Sequence, residues 1–429
     1  MKILVLGSGA REHAIILSLL GEDAGHDIVA APGNAGIARD VTVTALDIND
    51  PVAVANYAIA ESVDLVVVGP EAPLVAGVAD ELREQGIPVF GPGRAAAELE
   101  GSKTFAKRVM DAAGVPTGRA HRATTLAEVE AALDGFGAPY VVKADGLAAG
   151  KGVLVTEDRS AALEHAAAYL TGGSVLVEEF LDGQEVSLFL LSDGHTVLPL
   201  SPAQDYKRLL DGDGGPNTGG MGAYSPLPWL DETFGSEEAF VDEVIRTVAQ
   251  PVISQLAEEQ TPFIGLLYAG LILTSRRDSA EDRGIRVIEF NARFGDPETQ
   301  VVLPRLASPL SQLLHAAATG TLDESDRPQF GMTTAITVVL ASENYPATPI
   351  TGRKITGLDA AERVEGVHIA HAATRLSGEE LIATGGRVLN VVALGTTFAE
   401  ARERAYDAIG LIGLEGAQYR SDIAARVAD

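Results

Sequence analysis

Cysteine is absent from the 429 residues of this sequence. Its absence excludes disulfide bonds, thiolate metal sites and a cysteine nucleophile, and it is typical of a reducing compartment. Positive charge is also scarce, since 32 Lys and Arg face 60 Asp and Glu for a net charge of −28. Because so acidic a surface repels phosphate backbones and anionic lipids, we expect no nucleic-acid or membrane partner. Any phosphate group must bind in a local pocket where a few cations outweigh the general field.

Long hydrophobic runs are missing too. The longest apolar stretch covers residues 263–273, well short of the ~20 residues needed to cross a bilayer. The N-terminus lacks the basic region, apolar run and small-residue cleavage site of a signal peptide. We therefore expect a cytoplasmic protein. With 46% hydrophobic and 21% charged residues the chain is typical of a globular protein, and its length suggests about three domains.

The first hundred residues alternate apolar runs with helical patterns. The runs KILVLG, HDIVAAPG, VDLVVVGPEAP and IPVFG are separated by segments of helical periodicity. Continuous apolar strands joined by helices predict a parallel sheet with both faces covered. From about residue 102 the pattern changes to strand pairs, glycine-rich loops and long helices, one of them predicted over EEAFVDEVIRTVAQPVISQLAEE. The last hundred residues are rich in strands and contain a closing helix.

The opening KILVLGSGAREHA is similar to the start of a dinucleotide-binding fold, with Gly7 and Gly9 between a strand and a helix. The third glycine of that pattern is replaced by Glu12, and the second strand ends VAAPG without the acid that binds ribose. The pattern therefore argues against an NAD enzyme. A glycine turn before a helix can still bind one phosphate through backbone N–H groups. A plain tight turn explains the two glycines equally well.

A glycine-rich hairpin carries two of the few lysines. VVKADGLAAGKGVLV places Lys143 on an incoming strand and Lys151 in a loop with Gly146, Gly150 and Gly152. The spacing is not that of a P-loop, which has four residues between its glycines and Ser or Thr after the lysine. Backbone amides and two ammonium groups on such a flap can close over a triphosphate. A surface hairpin is the structural alternative, but so many glycines carry an entropy cost on ordering.

Two further stretches combine an apolar strand with acids. VLVEEFLDGQEVS offers an apolar slot for adenine and a carboxylate for ribose, although an ordinary strand ending in acids looks similar. In VIEFNARFGDPETQ, alternation places Glu289, Asn291 and Arg293 on one strand face. A carboxylate and an amide oxygen side by side suit a hard cation such as Mg²⁺, and Arg293 can bind a carboxylate or an acyl phosphate. A strand with one polar face is the structural alternative.

Together these stretches resemble the ATP-grasp superfamily, and in particular the phosphoribosylamine–glycine ligase family. The resemblance runs nearly end to end, through GSGAREHA, APGNAG, VGPEAPLV, GPGRAAAELEGSKTFAK, VVKADGLAAGKGV, GPNTGGMGAYSP, LLYAGL, IEFNARFGDPETQ and GGRVLNVVALG. It implies a multidomain α/β and α+β fold. The expected parts are an N-terminal Rossmann-like parallel-sheet domain (1–101), an ATP-grasp domain (102–322) with a flap subdomain (about 120–190), and a strand-rich C-terminal domain (323–429).

The same resemblance implies an activity and a set of site residues. ATP would phosphorylate the carboxylate of glycine, which would then be joined to 5-phosphoribosylamine, the second step of de novo purine synthesis. The nucleotide would be bound by Lys103, Lys143, Gly146, Gly150, Lys151, Gly152, Glu178, Glu179, Leu181 and Glu185. Mg²⁺ or Mn²⁺ would be bound by Glu289 and Asn291. The other substrates would contact Gly9, Gly33, Asn34, Gly36, Glu71, Asp205, Lys207, Arg293 and Asp296, with Arg293, Lys151 and Asp296 catalytic.

Within this set, the resemblance implies that Arg293 binds the carboxylate of glycine and Asp296 its ammonium group. We expect small-molecule partners and a monomer. One departure is that LLYAGLIL, before the Glu-x-Asn strand, supplies no metal carboxylate. A second cation would therefore rely mostly on Glu289 and the phosphates. The hairpin SRRDSAEDR is also longer than the family pattern leads us to expect.

Three interpretations compete with this one. A neighbouring ATP-grasp ligase or carboxylase is opposed by the segment from QDYK to GPNTGGMGAYSP. An NAD-dependent oxidoreductase is opposed by the missing third glycine and ribose-binding acid. A catalytically inactive nucleotide sensor is opposed by the presence of Lys143, Glu289 and Asn291.

Overall fold

The computed structural model describes residues 1–146, 152–275, 277–278 and 282–428. Its N-terminal part contains strands β1 (Lys2–Gly7), β2 (Asp27–Pro32), β3 (Thr42–Val43), β4 (Leu65–Val68) and β5 (Val89–Phe90). Its helices are α1 (Ala10–Leu20), α2 (Ile37–Asp40), α3 (Pro51–Ala60), α4 (Glu71–Ala76), α5 (Val78–Glu84) and α6 (Arg94–Gly101). The strands form the predicted parallel sheet, in the order β3-β2-β1-β4-β5.

The sequence prediction was too long for one of these strands. The run VDLVVVGPEAP was expected to be extended throughout, but β4 ends at Val68 and α4 begins at Glu71. Pro70 takes the N-cap position in an extended conformation, and Glu71 lies in the first turn of the helix. An acid at that position interacts favourably with the positive end of the helix dipole, which explains the early helix start.

The central part contains two sheets and a pair of short hairpin strands. Its strands are β6 (Ala120–Ala123), β7 (Tyr140–Ala144), β8 (Val153–Thr156), β9 (Val175–Glu178), β10 (Gly183–Asp193), β11 (Val197–Pro199), β12 (Gln204–Asp205), β13 (Arg208–Leu210), β14 (Gly214–Asn217), β15 (Gly222–Ser225), β16 (Ile264–Thr274) and β17 (Ile285–Asn291). One four-stranded sheet has the order β11-β10-β16-β17, and a smaller one the order β6-β9-β7-β8. The smaller sheet lies within the flap subdomain that we propose for residues of about 120–190.

Helices of the central part pack around these sheets. They are α7 (Lys103–Ala112), α8 (Leu126–Phe136), α9 (Arg159–Leu170), α10 (Leu230–Phe234), α11 (Glu237–Val244), α12 (Gln250–Glu258), α13 (Thr299–Val302) and α14 (Leu310–Thr319), with 3-10 turns at Asp211–Asp213, Leu303–Arg305 and Leu322–Glu324. Ser102 caps α7 as predicted, because its Oγ accepts a hydrogen bond from the Phe105 N–H at 3.1 Å.

The long helix predicted before β16 is interrupted. A π-helical turn at Ile245–Ala249 separates α11 from α12. Pro251 follows directly, and a proline inside a helix removes one backbone hydrogen bond and crowds the carbonyl four residues earlier. The helix accommodates Pro251 by widening for one turn. Residues 276 and 279–281 of the hairpin SRRDSAEDR lie outside the described residues.

The C-terminal part contains β18 (Thr334–Ala341), β19 (Val367–His371), β20 (Thr374–Ser377), β21 (Glu380–Ala383), β22 (Arg387–Gly395), α15 (Leu358–Ala361), α16 (Phe398–Gly410) and α17 (Ala425–Ala428). Its sheet has the order β12-β15-β18-β22-β19. Two of these strands, β12 and β15, come from the central part of the chain. We retain the division at 101/102 and 322/323 as a proposal, with β15 pairing across the second boundary.

A shared hydrophobic core fixes the N-terminal and central parts against each other. Phe294, directly after Arg293, is fully buried between Phe90 of β5 and Phe189 of β10. The ring centroids are 5.9 Å apart for Phe90 and Phe294, and 5.6 Å apart for Phe189 and Phe294. Since buried aromatic pairs resist displacement, this packing fixes the position of the adjacent Arg293.

Candidate active site

An open cleft of about 690 Å³ lies where the three parts of the chain meet. Many of the predicted site residues line it: Gly9, Glu71, Lys103, Gly146, Gly152, Asp205, Lys207, Glu289, Asn291, Arg293 and Asp296. A small adjoining recess shares Lys103, Glu289 and Asn291 with the cleft and is further lined by Leu99, Lys107, Met110, Lys143 and Glu178. We call these the cleft and the recess.

Buried lysines converge on one glutamate in the recess. Lys143, on β7, has its Nζ 2.9 Å from Oε2 of Glu178 and donates to the carbonyl of Ile288 at 3.2 Å. Lys107, on α7, has its Nζ 3.5 Å from the same Oε2. Burial acts to lower the pKa of Lys143, but the charges of Glu178 and Glu289 outweigh it and raise the pKa. The recess therefore holds fixed cations suited to a polyphosphate.

The glycine-rich loop of the flap contacts the cleft at both of its described ends. Lys103 donates from Nζ to the carbonyl of Gly146 at 3.2 Å, and burial lowers the pKa of Lys103. Asp145, before this glycine, accepts hydrogen bonds from the Thr104 hydroxyl at 2.6 Å and from the Ser174 hydroxyl at 3.1 Å. The bonds from Lys103 and Thr104 tie the first end of the flap to α7, and the bond from Ser174 ties it to the start of β9. The predicted nucleotide-binding residues Gly150 and Lys151 lie outside the described residues.

The predicted metal residues lie beside a bulge in β17. Gly270 pairs with Glu289 while Leu271 pairs with Val287, so Ile288 is an extra residue in the strand. Glu289 and Asn291 follow the bulge and line both the recess and the cleft. A Cβ on Gly270 would lie 3.1 Å from Cγ of Glu289, so glycine leaves room for this side chain.

The donor chemistry of this pair fits a hard divalent cation. Mg²⁺ prefers oxygen ligands and keeps part of its shell for water and substrate phosphates. Glu289 offers carboxylate oxygens and Asn291 an amide oxygen on the same strand face. The part of the chain that the structure describes has no cluster of three or more His, Cys, Asp or Glu side chains suited to a metal.

Two adjacent glutamates at the C-terminal end of β9 have different surroundings. Glu178 points into the recess, whereas the Oε2 of Glu179 lies 2.8 Å from the Nε of Arg119. The backbone N–H of Glu179 donates to the Arg119 carbonyl at 3.0 Å. Leu181 is half-buried and packs near Gly118. Of this predicted adenine-binding group, the structure brings Glu178 to the recess.

A charge cluster around the buried Asp205 forms one wall of the cleft. Lys207 donates from Nζ to Glu185 at 2.7 Å and to Asp205 at 3.1 Å. The charge of Lys207 lowers the pKa of Glu185. Burial raises the pKa of Asp205 to about 7, with Glu298 adding to the effect and Lys207 opposing it. The structure thus joins Glu185, predicted for the nucleotide, to two residues predicted for the other substrates.

Arg293 connects the central and N-terminal parts. Its Nη2 lies 2.8 Å from Oε1 of Glu100, and its Nε lies 3.7 Å from Oε2 of Glu71. Burial acts to lower the pKa of Arg293, but these two carboxylates outweigh it and raise the pKa. Among the described residues, the buried Nε has no hydrogen-bond partner. One donor of Arg293 is therefore not satisfied by the described protein groups.

Asp296 is held on both of its oxygens. Gln300 donates to Oδ1 at 2.7 Å, and Arg387 of β22 donates to Oδ2 at 3.0 Å. Arg387 and Asp296 both line the cleft. The C-terminal part therefore supplies a side chain to a site predicted within the central part.

The predicted N-terminal loop residues are used largely within the protein. The N–H of Gly9 donates to Oε2 of Glu12 at 2.6 Å. The Nδ2 of Asn34 donates to the carbonyls of Ser8 and His371, at 2.9 and 2.7 Å, and its Oδ1 accepts from the N–H of Gly36. Gly33 follows β2 with a φ of +70°, and Gly36 packs closely against the ring of His371. Asn34 and Gly36 therefore connect the N-terminal part to the C-terminal part.

Sequence reasoning missed several residues of the cleft and the recess. Lys107 follows Lys103 by four residues on α7, and this spacing indicates a shared helix face. Glu100, Tyr268 and Glu298 also line the cleft; they lie in stretches that carry the family resemblance, but none was given a role in the site. Arg387 begins a strand in another part of the chain, where its neighbours give no signal of a site.

Comparisons with known protein families first show the class of enzyme to which the chain belongs. A model for the ATP-grasp (A) domain of phosphoribosylglycinamide synthetase matches residues 101–299. Models for the N and C domains of the same synthetase match residues 1–100 and 335–426. The protein is therefore an ATP-grasp enzyme.

Similar sequences and a solved structure then show the family of the chain within that class. The chain is 73% identical to the phosphoribosylamine–glycine ligase of Leifsonia xyli, over 99% of this chain and 100% of the relative. It is 57% identical to that of Streptomyces coelicolor over the full length of both. The crystal structure of the Thermotoga maritima ligase has 31% identity and a TM-score of 0.81, covering 98% of this chain and 100% of that one. The chain belongs to the phosphoribosylamine–glycine ligase family, whose members are ATP-dependent ligases.

Helices long and apolar enough to cross a membrane are not found among the described residues. The family assignment agrees with the resemblance in the sequence, and it removes the NAD-dependent oxidoreductase from consideration.

Proposed function

We propose that the chain joins glycine to 5-phosphoribosylamine, consuming ATP and releasing ADP and phosphate in the second step of purine synthesis. One observation carries the proposal: Lys103, Glu289, Arg293 and Asp296 line a single cleft. Groups suited to a polyphosphate, a hard cation and an amino acid therefore face the same space.

The nucleotide would lie at the recess end. Lys143 and Lys103 would neutralise its phosphates, helped by Lys151 and by the backbone of Gly146, Gly150 and Gly152. Glu178 would orient the ammonium group of Lys143. The backbone of Glu179 and Leu181 would bind adenine, and Glu185 would accept hydrogen bonds from ribose hydroxyls. Such fixed charges cost no reorganisation during phosphoryl transfer, which is why they favour the transition state.

We propose Mg²⁺ or Mn²⁺ as the cation, held by Glu289 and Asn291. When bound, it would stabilise the negative charge of the transferring phosphoryl group. Lys103 faces Glu289, whose charge acts to raise the pKa of this lysine against the larger effect of burial. Lys103 can therefore stay close to the phosphates without displacing the carboxylate.

Glycine would lie between Arg293 and Asp296, its carboxylate on Arg293 and its ammonium group on Asp296. In the first step, a carboxylate oxygen of glycine bonds to the γ-phosphorus as the bond to ADP breaks. In the second step, the amine nitrogen of 5-phosphoribosylamine bonds to the glycyl carbonyl carbon, phosphate leaves, and the nitrogen loses a proton. The protein contributes mainly by holding the reacting groups in position.

The sugar phosphate would lie toward the N-terminal part. Glu71 would bind the ribose hydroxyls, with Asp205 and Lys207 across the cleft. We place the phosphate near Gly9 and residues 33–36. Because the N–H of Gly9 is donated to Glu12, the phosphate would have to bind other groups of this loop.

An assay of ADP release tests the function directly. Purified protein should release ADP only when ATP, glycine and freshly generated 5-phosphoribosylamine are all present. Bicarbonate in place of glycine separates the ligase from a carboxylase of the same superfamily and should give no ADP. ADP release with bicarbonate, or none with the complete mixture, would contradict the proposal.

We also propose that the enzyme is a cytoplasmic monomer. The absence of cysteine suits a reducing compartment. Light scattering during size-exclusion chromatography should give the mass of a single chain. A stable dimer would contradict the monomer while leaving the activity untouched.

A further inference from the structure

We propose that Arg387, from the C-terminal sheet, positions the amino-acid site through Asp296 and the loop at Gly219 and Gly220. The proposal rests on the proposed function, in which Asp296 binds the ammonium group of glycine. Arg387 would act as a positioning residue, because its contacts are with the protein groups that surround glycine.

The first argument is the way Arg387 holds Asp296. Its Nη2 donates to Oδ2 at 3.0 Å, and its Nη1 donates to the backbone carbonyl of the same residue at 2.8 Å. A planar guanidinium that binds both groups fixes the carboxylate in rotation as well as in position. Gln300 fixes the other oxygen at 2.7 Å. Each carboxylate oxygen accepts more than one hydrogen bond, so an ammonium group can still be bound.

The second argument is that Arg387 also holds a loop over this carboxylate. Its Nη1 donates to the carbonyl of Gly219 and lies 3.5 Å from that of Gly220. Tyr345, also from the C-terminal part, accepts from the N–H of Gly219 through its hydroxyl at 2.9 Å. Gly219 lines the cleft, so the loop forms part of its wall.

Glycine is required at both positions for this close approach. A Cβ on Gly219 would lie 3.0 Å from Cζ of Arg387. Gly220 has a φ of +107°, which disfavours any side chain, and a Cβ there would clash with Pro297. The loop therefore fits between Arg387 and the Asp296–Pro297 segment, and one guanidinium fixes both walls of the space for a small amino acid.

A purely structural role for Arg387 is the alternative, in which it only ties the C-terminal part to the rest. Arg404 provides the matched control for that role. It lies in the same part of the chain, donates to the carbonyl of Leu394 in β22 at 2.7 Å and pairs with Glu400 at 2.7 Å. It does not line the cleft among the described residues.

The experiment compares Arg387→Lys, Arg387→Gln and Arg404→Gln by steady-state kinetics. We expect the KM for glycine to rise about 10-fold in Arg387→Lys, which keeps the charge but loses the planar fork, and about 50-fold in Arg387→Gln. The KM for ATP should change less than about 2-fold, since the recess is independent of Arg387. Arg404→Gln should leave the KM for glycine unchanged. Thermal unfolding of each variant monitors the fold.

A double-mutant cycle with Asp296→Asn tests whether the two residues act together. If Arg387 acts through Asp296, the double variant should lose less than the product of the two single losses. Equal rises in the KM for glycine and for ATP would overturn the proposal, as would an unchanged KM for glycine. Loss of the fold in both Arg387 variants would also overturn it. Failure of the proposed function is separate, because it would already appear as a wild-type protein that does not use glycine.

Discussion

The two ends of the cleft are built in different ways. At the nucleotide end, Lys143, Lys107 and Glu178 come from elements of the central part and pair with one another inside it. At the amino-acid end, Arg293 pairs with Glu71 and Glu100 of the N-terminal part, and Asp296 pairs with Arg387 of the C-terminal part. The first end is formed mainly by the central part, with Leu99 and Glu100 added from the N-terminal part, whereas the second needs three parts to meet.

Ion pairs around the cleft also differ in burial. The side chains of Lys143 and Glu178 are 6% and 7% exposed, and those of Lys207 and Glu185 on the cleft wall are 35% and 42% exposed. A buried pair costs much more to break than an exposed one, because the remaining charge is left without water. The Lys143–Glu178 pair should therefore carry stability as well as function, and the Lys207–Glu185 pair mostly function.

Glu289 lies where the two ends meet, and its replacement should have the largest effect. We expect Glu289→Gln to lower kcat about 1,000-fold, because the cation that stabilises phosphoryl transfer loses its carboxylate. The fold should be unaffected. Glu164→Gln, at an exposed position on α9, is the matched control. A Glu289→Gln protein with full activity would show that the metal binds elsewhere.

At the nucleotide end, local sequence patterns point to residues that the structure brings together. Alternation singled out Glu289 and Asn291 because a strand repeats every two residues whatever surrounds it, but β17 ends at Asn291, so Arg293 lies beyond the strand that was predicted to carry it. The bulge at Ile288 escaped prediction, because it depends on the register against β16. Lys143 was found from its strand and glycine loop, which are adjacent in sequence.

The amino-acid end was predicted only in part, because its contacts are distant in sequence. Arg387 is 91 residues from Asp296 and belongs to another sheet. Local patterns carry no information on such a pair. Asn34 was predicted to contact substrate from its place in a family motif, but its side chain binds the His371 carbonyl, 337 residues away.

The next largest effect should come from the buried pair of the nucleotide end. We expect Lys143→Met to lower the free energy of unfolding by about 3 kcal/mol, because Glu178 loses its nearest cation. The loss should stay near the low end of the usual range, since Lys107 is 3.5 Å from Glu178. Urea denaturation measures the change. Adding Glu178→Gln should recover most of it, whereas Lys354→Met, which breaks an exposed pair with Glu380, should change little.

A smaller, pH-dependent effect should come from Asp205 on the cleft wall. Burial raises its pKa to about 7, against about 3.9 in an unfolded chain. Between these values the folded protein holds a proton that the unfolded chain has released, so this residue makes the free energy of unfolding fall as pH rises. The difference between wild type and Asp205→Asn should drop by up to about 2 kcal/mol from pH 5 to pH 7. A constant or rising difference would contradict the raised pKa.

The smallest effect should come from breaking the ion pair of the glutamate next to Glu178. Glu179 pairs with Arg119, whose side chain is 66% exposed. Water can therefore solvate the charge of Arg119 when the pair is broken, and the pair contributes little to stability. We expect Arg119→Gln to change the free energy of unfolding by at most about 0.5 kcal/mol. The two adjacent glutamates thus provide an internal comparison, since the partner of Glu178 is buried and the partner of Glu179 is exposed to solvent. A loss from Arg119→Gln as large as that from Lys143→Met would show that burial does not decide how much each of the two pairs contributes to stability.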